Sequence, residues 1–169
     1  MPHHKPLVSA TFEVPNQVVT DRFLIRPLCY ADALFDYEAW QSSLEHLRGV
    51  FGPDSDWPDP TMLLQENAID LAWHQREHEQ RGSFAYTVFD PANVMCLGCI
   101  YINPARKVPF DAEVFYWVRT SALQDGLDKA VGDFVKWWLA DIWPFDAVAY
   151  PGREVSWEDF AELADKEHW

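Results

Sequence analysis

The chain has 169 residues, 49% hydrophobic and 15% aromatic, enough to bury an ordinary core in a single domain. Its formal net charge of −14 excludes the phosphate backbone of nucleic acid as a natural partner and favours a cationic one. No apolar run has the length of a membrane span, the N-terminus lacks the apolar stretch of a signal peptide, and Cys29, Cys96 and Cys99 form no disulfide framework, so the cytoplasm is the expected compartment.

Residues 1–19 hold three prolines and no periodicity, and read as an extended arm ahead of one domain over 20–169. Residues 23–28 are a short strand stopped by Pro27. Residues 31–41 and 43–50 read as short helices. Residues 61–81 read as a long one whose apolar stripe is Met62, Ile69, Ala72 and Trp73, ended by Gly82. The alternation of 84–89 and 94–102 around Asp90-Pro91-Ala92-Asn93 predicts a hairpin, and 112–118 the next strand. From Leu127 the period becomes helical, with Val131, Phe134, Trp138 and Ile142 on the same face, until Pro144. Residues 147–150 form a strand closed by Pro151-Gly152. Ser156, with Asp159 three residues on, opens a last helix whose apolar face is Trp157, Phe160, Ala161 and Ala164.

Residues 112–128 carry the strongest functional signal. A strand running through a short polar turn into a helix N-terminus aims backbone N–H groups at one point, where phosphate can bind. Two acids oppose this. Asp125 reads as the N-cap of a helix starting at Gly126, and Asp128 adds negative charge in its first turn.

Thr20-Asp21-Arg22-Phe23-Leu24-Ile25-Arg26-Pro27-Leu28 and Ala112-Glu113-Val114-Phe115-Tyr116-Trp117-Val118 resemble the first and fourth strands of the GCN5-related N-acetyltransferases (GNAT). The closest branch is the one that acetylates ribosomal-protein N-termini, with its small-molecule relatives. Of that family's pyrophosphate-loop pattern only Gly126 is kept. Leu123 stands where Gln or Arg is expected, and Asp128 where a small residue is expected. The order of elements over about 20–165 is also similar. The resemblance implies an α/β (α+β) acyl-CoA N-acetyltransferase fold, a mixed central sheet with helices on both faces. The family continues with two further strands where this sequence ends at Trp169, so a C-terminally truncated version lacking the last hairpin is expected.

The same resemblance implies acetyl-CoA as cofactor and an amine or a protein N-terminus as acceptor. The pantetheine arm would lie along Tyr116, Trp117, Val118 and Arg119. The pyrophosphate would meet Gln124, Asp125, Gly126, Leu127 and Asp128. Glu113 is the candidate base. Tyr150 is the nearest hydroxyl, because residues 156–167 lack the tyrosine that the family often uses as acid. A coenzyme-free relative serving as a binding module is the alternative. The bare edge near 147–149 needs a cover, from residues 1–19 or from a second copy, and nine tryptophans favour a homodimer.

Three further patterns have plainer readings. His74-Gln75-Arg76-Glu77-His78 matches an inverted zinc motif, with Glu154 downstream, but both histidines fall opposite Ile69 on the polar side of the helix, and no metal is expected. Cys96 and Cys99 sit three apart in an alternating strand, on opposite faces, as small core residues. Trp40, Trp57, Trp73 and Tyr116 can line an amine pocket facing Glu38, Glu45, Asp54 and Asp56, but core and solvated loop is the commoner use of such residues.

Overall fold

The computed structural model describes residues 5–167. Six strands form one sheet in sequence order: β1 (Val18–Val19), β2 (Leu24–Pro27), β3 (Phe84–Phe89), β4 (Cys96–Pro104), β5 (Ala112–Val118) and β6 (Val148–Ala149). All neighbours are antiparallel except β5 and β6, which are parallel, so the sheet is mixed. Helices α1 (Ala33–Gln41), α2 (Leu44–Leu47) and α3 (Leu64–Glu79) lie on one side, and α4 (Leu127–Asp141) on the other. The short α5 (Trp157–Glu162) begins at Ser156, whose hydroxyl accepts the Asp159 N–H at 3.1 Å.

Strand alternation sorts the two halves of the core. Phe84, Tyr86, Val88, Ile100, Ile102, Val114, Tyr116 and Val118 pack with Val131, Val135 and Trp138 of α4. Ala85, Tyr101, Phe115 and Trp117 pack with Trp40 of α1 and Leu71 of α3. The two cysteines break the expected alternation and join the same half. Val88 faces Gly98 but Phe89 faces Cys96, so Leu97 is the extra residue of a β-bulge, and a bulge shifts the period by one.

The long helix buries a different stripe from the one expected. Asn67 and Leu71 are inside, while Ile69 and Trp73 are 70% and 53% exposed. His74 continues the inner stripe against Tyr101, and His78 against Phe84 and Tyr86, with ring centres 5.0–5.4 Å apart. Three of the inner polar side chains, Trp40, Asn67 and Asp36, pair with one another. The Trp40 indole N–H donates to Asn67 Oδ1 at 3.2 Å, and Asn67 Nδ2 donates to the Ala33 carbonyl and Asp36 Oδ2, each at 3.0 Å. Paired polar groups are compatible with burial, which hydrophobic periodicity alone does not register.

The arm, one of the two covers expected for the β6 edge, lies elsewhere. Residues 1–4 of the arm are outside the described residues. The Leu7 N–H donates to the Arg81 carbonyl, the Arg81 guanidinium donates to the carbonyls of Ser9 and Phe12, and the Tyr86 hydroxyl donates to the Pro15 carbonyl. Phe12 packs on Trp143, just beyond α4. The arm thus lies over the end of α3, β3 and the end of α4, and β1 extends the opposite edge of the sheet. After α5, the Val108 N–H donates to the Ala164 carbonyl and the Lys166 N–H to the Arg106 carbonyl.

Asp36 is 4% exposed, and burial pushes its carboxyl up to about 7, with the Asn67 hydrogen bond opposing. Below about pH 4 the folded and unfolded chains both keep this proton. Between about 4 and 7 only the folded chain keeps it, so stability falls as pH rises through that window. Asp36→Asn is expected to exceed the parent in urea-unfolding stability by roughly 1–3 kcal/mol above about pH 7, the gap closing towards about pH 4. A gap that does not change with pH would show that Asp36 is ionised in the fold.

Candidate functional site

β5 and β6 pair at only two positions, Ala112 with Val148 and Glu113 with Ala149. β5 runs on to Val118 while the segment after β6 leaves the sheet into a turn, in which the Glu154 N–H donates to the Tyr150 carbonyl. The N–H and C=O of one strand residue point to the same edge, so Val114, Tyr116 and Val118 present backbone to the gap. An edge of this kind can take an extended ligand as an added strand. The gap opens into a cleft of about 220 Å³ lined by His46, Arg48, Tyr116, Trp117, Arg153 and Trp157, together with neighbouring apolar residues. The Tyr116 ring reaches α4 at Gly132, where any Cβ would collide with its hydroxyl.

Beyond β5, Thr120–Asp125 is a 3-10 helix, and Gly126 follows at φ +68 in the left-handed region. Gly126 occupies the position preceding α4, so Asp125 is not its N-cap, contrary to expectation. The reason is local. The Ala122 and Gly126 N–H groups bond back to the carbonyls of Arg119 and Leu123, which closes the turn on itself. Gln124 and Asp125 are exposed, and the Asp125 carbonyl accepts Arg22 Nη2 at 2.5 Å. The first bond of α4 runs from the Ala130 N–H to the Gly126 carbonyl, leaving Leu127, Asp128 and Lys129 with the orphan donors of a helix start. A Cβ at Gly126 would meet nothing within 4 Å, so this mouth is open.

Three ion pairs stand around the mouth. Arg153 holds Asp128 at 2.9 Å, Lys129 holds Asp133 at 2.5 Å, and Lys136 holds Glu154 at 2.9 Å. Arg119 is turned away from the gap. Its Nη1 and Nη2 donate to Glu38 at 2.8 and 2.6 Å, and Nη1 also donates to the Cys96 carbonyl. The hydrogen bond from Arg119 holds the Glu38 carboxyl below its ordinary range, with burial opposing.

The two candidate catalytic groups are not brought together in the cleft. Glu113 is 3% exposed, with Oε1 accepting Arg106 Nε at 2.7 Å and Oε2 accepting the Arg106 backbone N–H at 3.2 Å. It pins the segment after β4. Tyr150 is buried in the α4-side core, and burial pushes its phenol far above its ordinary value, which makes it a reluctant acid. The four aromatics of the expected amine pocket separate as well. Trp40 is buried against Trp57 at 5.9 Å, Trp73 is on the outer face of α3, and Tyr116 faces α4. Among the described residues no group of three or more His, Cys, Asp or Glu can hold a metal ion.

Three lining residues carry no sequence signal of their role. His46 is the third residue of the four-residue α2, in no recognisable motif, and its imidazole nitrogens are the lining side-chain atoms able to exchange a proton with a bound group. Arg153 follows Pro151-Gly152 in what reads as a simple turn. Trp157 stacks on Phe115 at 6.0 Å and fills space against Gly52 and Gly152, both at positive φ.

No protein-family model matches the sequence, and no curated protein sequence matches it. Solved structures do match the fold. The ribosomal-protein-S5-alanine acetyltransferase from Vibrio fischeri aligns with a TM-score of 0.57 at 16% identity, over 75% of this chain and 68% of its own. An acetyltransferase from Agrobacterium tumefaciens aligns at 0.50 and 21% identity, over 78% and 71%. The microcin C7 self-immunity acetyltransferase MccE, in complex with acetyl-CoA and AMP, aligns at 0.50 and 12%, over 76% and 70%. The chain therefore has the α/β fold of the GNAT acetyltransferases.

Glu113→Gln keeps the shape and removes the charge opposite Arg106. It is expected to lower chemical-unfolding stability by about 1–2 kcal/mol, because Arg106 is half exposed and the pair only partly desolvated. Stability equal to that of the parent would show that the ion pair does not hold this segment.

Proposed function

We propose that the chain transfers an acetyl group from acetyl-CoA to an amine, with the β5–β6 gap as the coenzyme groove and His46 as the proton acceptor. The observation that carries this reading is the edge of β5 at Val114, Tyr116 and Val118 that no strand pairs, leading towards the open mouth of α4 at Gly126. These features suit the two ends of the coenzyme. The backbone of Tyr116 and Val118 would hold the pantetheine arm, and the N–H groups of Leu127, Asp128 and Lys129 the diphosphate. The coenzyme supplies the activated acyl carbonyl when bound. N–H groups on the β5 edge are suited to stabilise negative charge on an acyl oxygen.

His46 would take the ammonium proton so that the acceptor nitrogen carries a lone pair. The net charge of −14 draws a cationic acceptor, a small amine or a protein N-terminus. The acetyltransferase names of the structural neighbours support acetyl as the transferred group. One observation favours a second reading, a binding module that uses no coenzyme: Arg153 lies across the groove and occupies the Tyr116 carbonyl.

The test follows thiol release from acetyl-CoA over a panel of amines and short peptides. His46→Gln is expected to lower kcat by about 10²–10⁴ near neutral pH, with KM for acetyl-CoA unchanged. Unchanged kcat would remove His46 from the mechanism. No thiol release with any acceptor, and no heat on titrating acetyl-CoA, would leave the binding-module reading.

A further inference from the structure

Arg153 sits where the groove would take its ligand. Its guanidinium lies 3.7 Å from the centre of the Tyr116 ring, and Nη2 donates to the Tyr116 carbonyl at 2.9 Å. The same fork holds both carboxylate oxygens of Asp128, at 2.9 and 3.0 Å. One side chain therefore bonds the open edge of β5 and the first turn of α4 at once, and spans the gap between them. The backbone presents it firmly. Gly152, at φ +78, lies against the Trp157 ring, and the Gly152 and Arg153 N–H groups bond to the carbonyls of Val155 and Tyr150. The Arg153 and Asp128 side chains are 30% and 32% exposed, so water reaches the pair and it can open.

We propose that Arg153 is a bolt that holds the β5–β6 groove shut through Asp128 and Tyr116, and that coenzyme A enters only when this side chain swings out. The proposal rests on the coenzyme reading given above. An extended ligand paired with the β5 edge would run through the space that the Arg153 guanidinium fills against the Tyr116 carbonyl and ring, so the two states exclude each other. Apparent affinity then falls by the fraction of molecules in the open state. Arginine suits the task because its planar fork engages a carboxylate with two parallel bonds while its flat face lies on an aromatic ring, which a lysine ammonium cannot do.

The experiment titrates coenzyme A calorimetrically into the full chain and into Arg153→Ala, Arg153→Lys and Asp128→Asn. Thermal unfolding of the single variants and of the Arg153→Ala, Asp128→Asn pair measures the coupling between the two side chains. The bolt predicts that Arg153→Ala binds coenzyme A at least about tenfold more tightly than the parent, the gain expected if the groove is open one-tenth of the time, with Arg153→Lys in between. A cation that merely attracted phosphate would give the opposite order, Arg153→Ala binding more weakly. Equal or weaker binding by Arg153→Ala, with the parent binding measurably, overturns the bolt and leaves the coenzyme reading standing. If neither parent nor variants take coenzyme A while the two side chains remain coupled in unfolding, the coenzyme reading falls and the gate falls with it. Should Arg153→Ala fail to fold, Arg153→Gln reads the same comparison.

Discussion

β5 is a strand buried on both faces whose second backbone edge is left largely without a strand partner. All seven of its residues are buried, and β4 pairs with every one of them. β6 pairs with only two. Partners for the rest of that edge have to come from something other than a strand, and an unpaired buried carbonyl costs about as much as a lost hydrogen bond. In this chain the Tyr116 carbonyl is satisfied by a side chain from the turn after β6. The groove, the position of Arg153 and the role of Asp128 all follow from that early parting of two parallel strands.

Charge supply shapes the same region. The chain has 27 acids against 13 lysines and arginines, so cations are scarce; near the end of β5 and the mouth of α4, Arg119, Lys129, Lys136 and Arg153 are each held by a carboxylate, while Arg22 is turned onto the Asp125 carbonyl. The positive potential at that mouth therefore comes from orphan N–H groups, with the lysine and arginine charges largely neutralised. Asp128, a liability to phosphate when considered alone, becomes the anchor of Arg153. The surplus of acid elsewhere sets a field that favours cationic over anionic molecules.

The side opposite α4 is built from rings and paired polar groups together. Trp40 lies between Tyr37, Trp57 and Asn67, and Asn67 in turn holds Asp36. This is why the inner face of α3 carries Asn67, Leu71, His74 and His78 while Ile69 and Trp73 face outward. A polar residue becomes a core residue when its partner comes from another helix. The partners of Asn67 are 27, 31 and 34 positions away, far outside any local window.

By itself the sequence determined what is local. The strands at 84–89 and 112–118, the helix opening at Leu127 and the cap at Ser156 stand where period and cap chemistry placed them, because neighbouring residues decide backbone conformation. The short motifs at 20–28 and 112–118 were enough for the fold class. The tertiary structure alone decided which face of α3 is buried, that Asp125 caps nothing, that Glu113 is spent on Arg106, and that Arg119 serves Glu38, 81 positions away. It alone set Arg153 across the groove against Asp128 and Tyr116, 25 and 37 positions away. A charged or polar side chain takes its role from whichever partner the folded chain brings within about 3 Å, and chain order does not encode that distance.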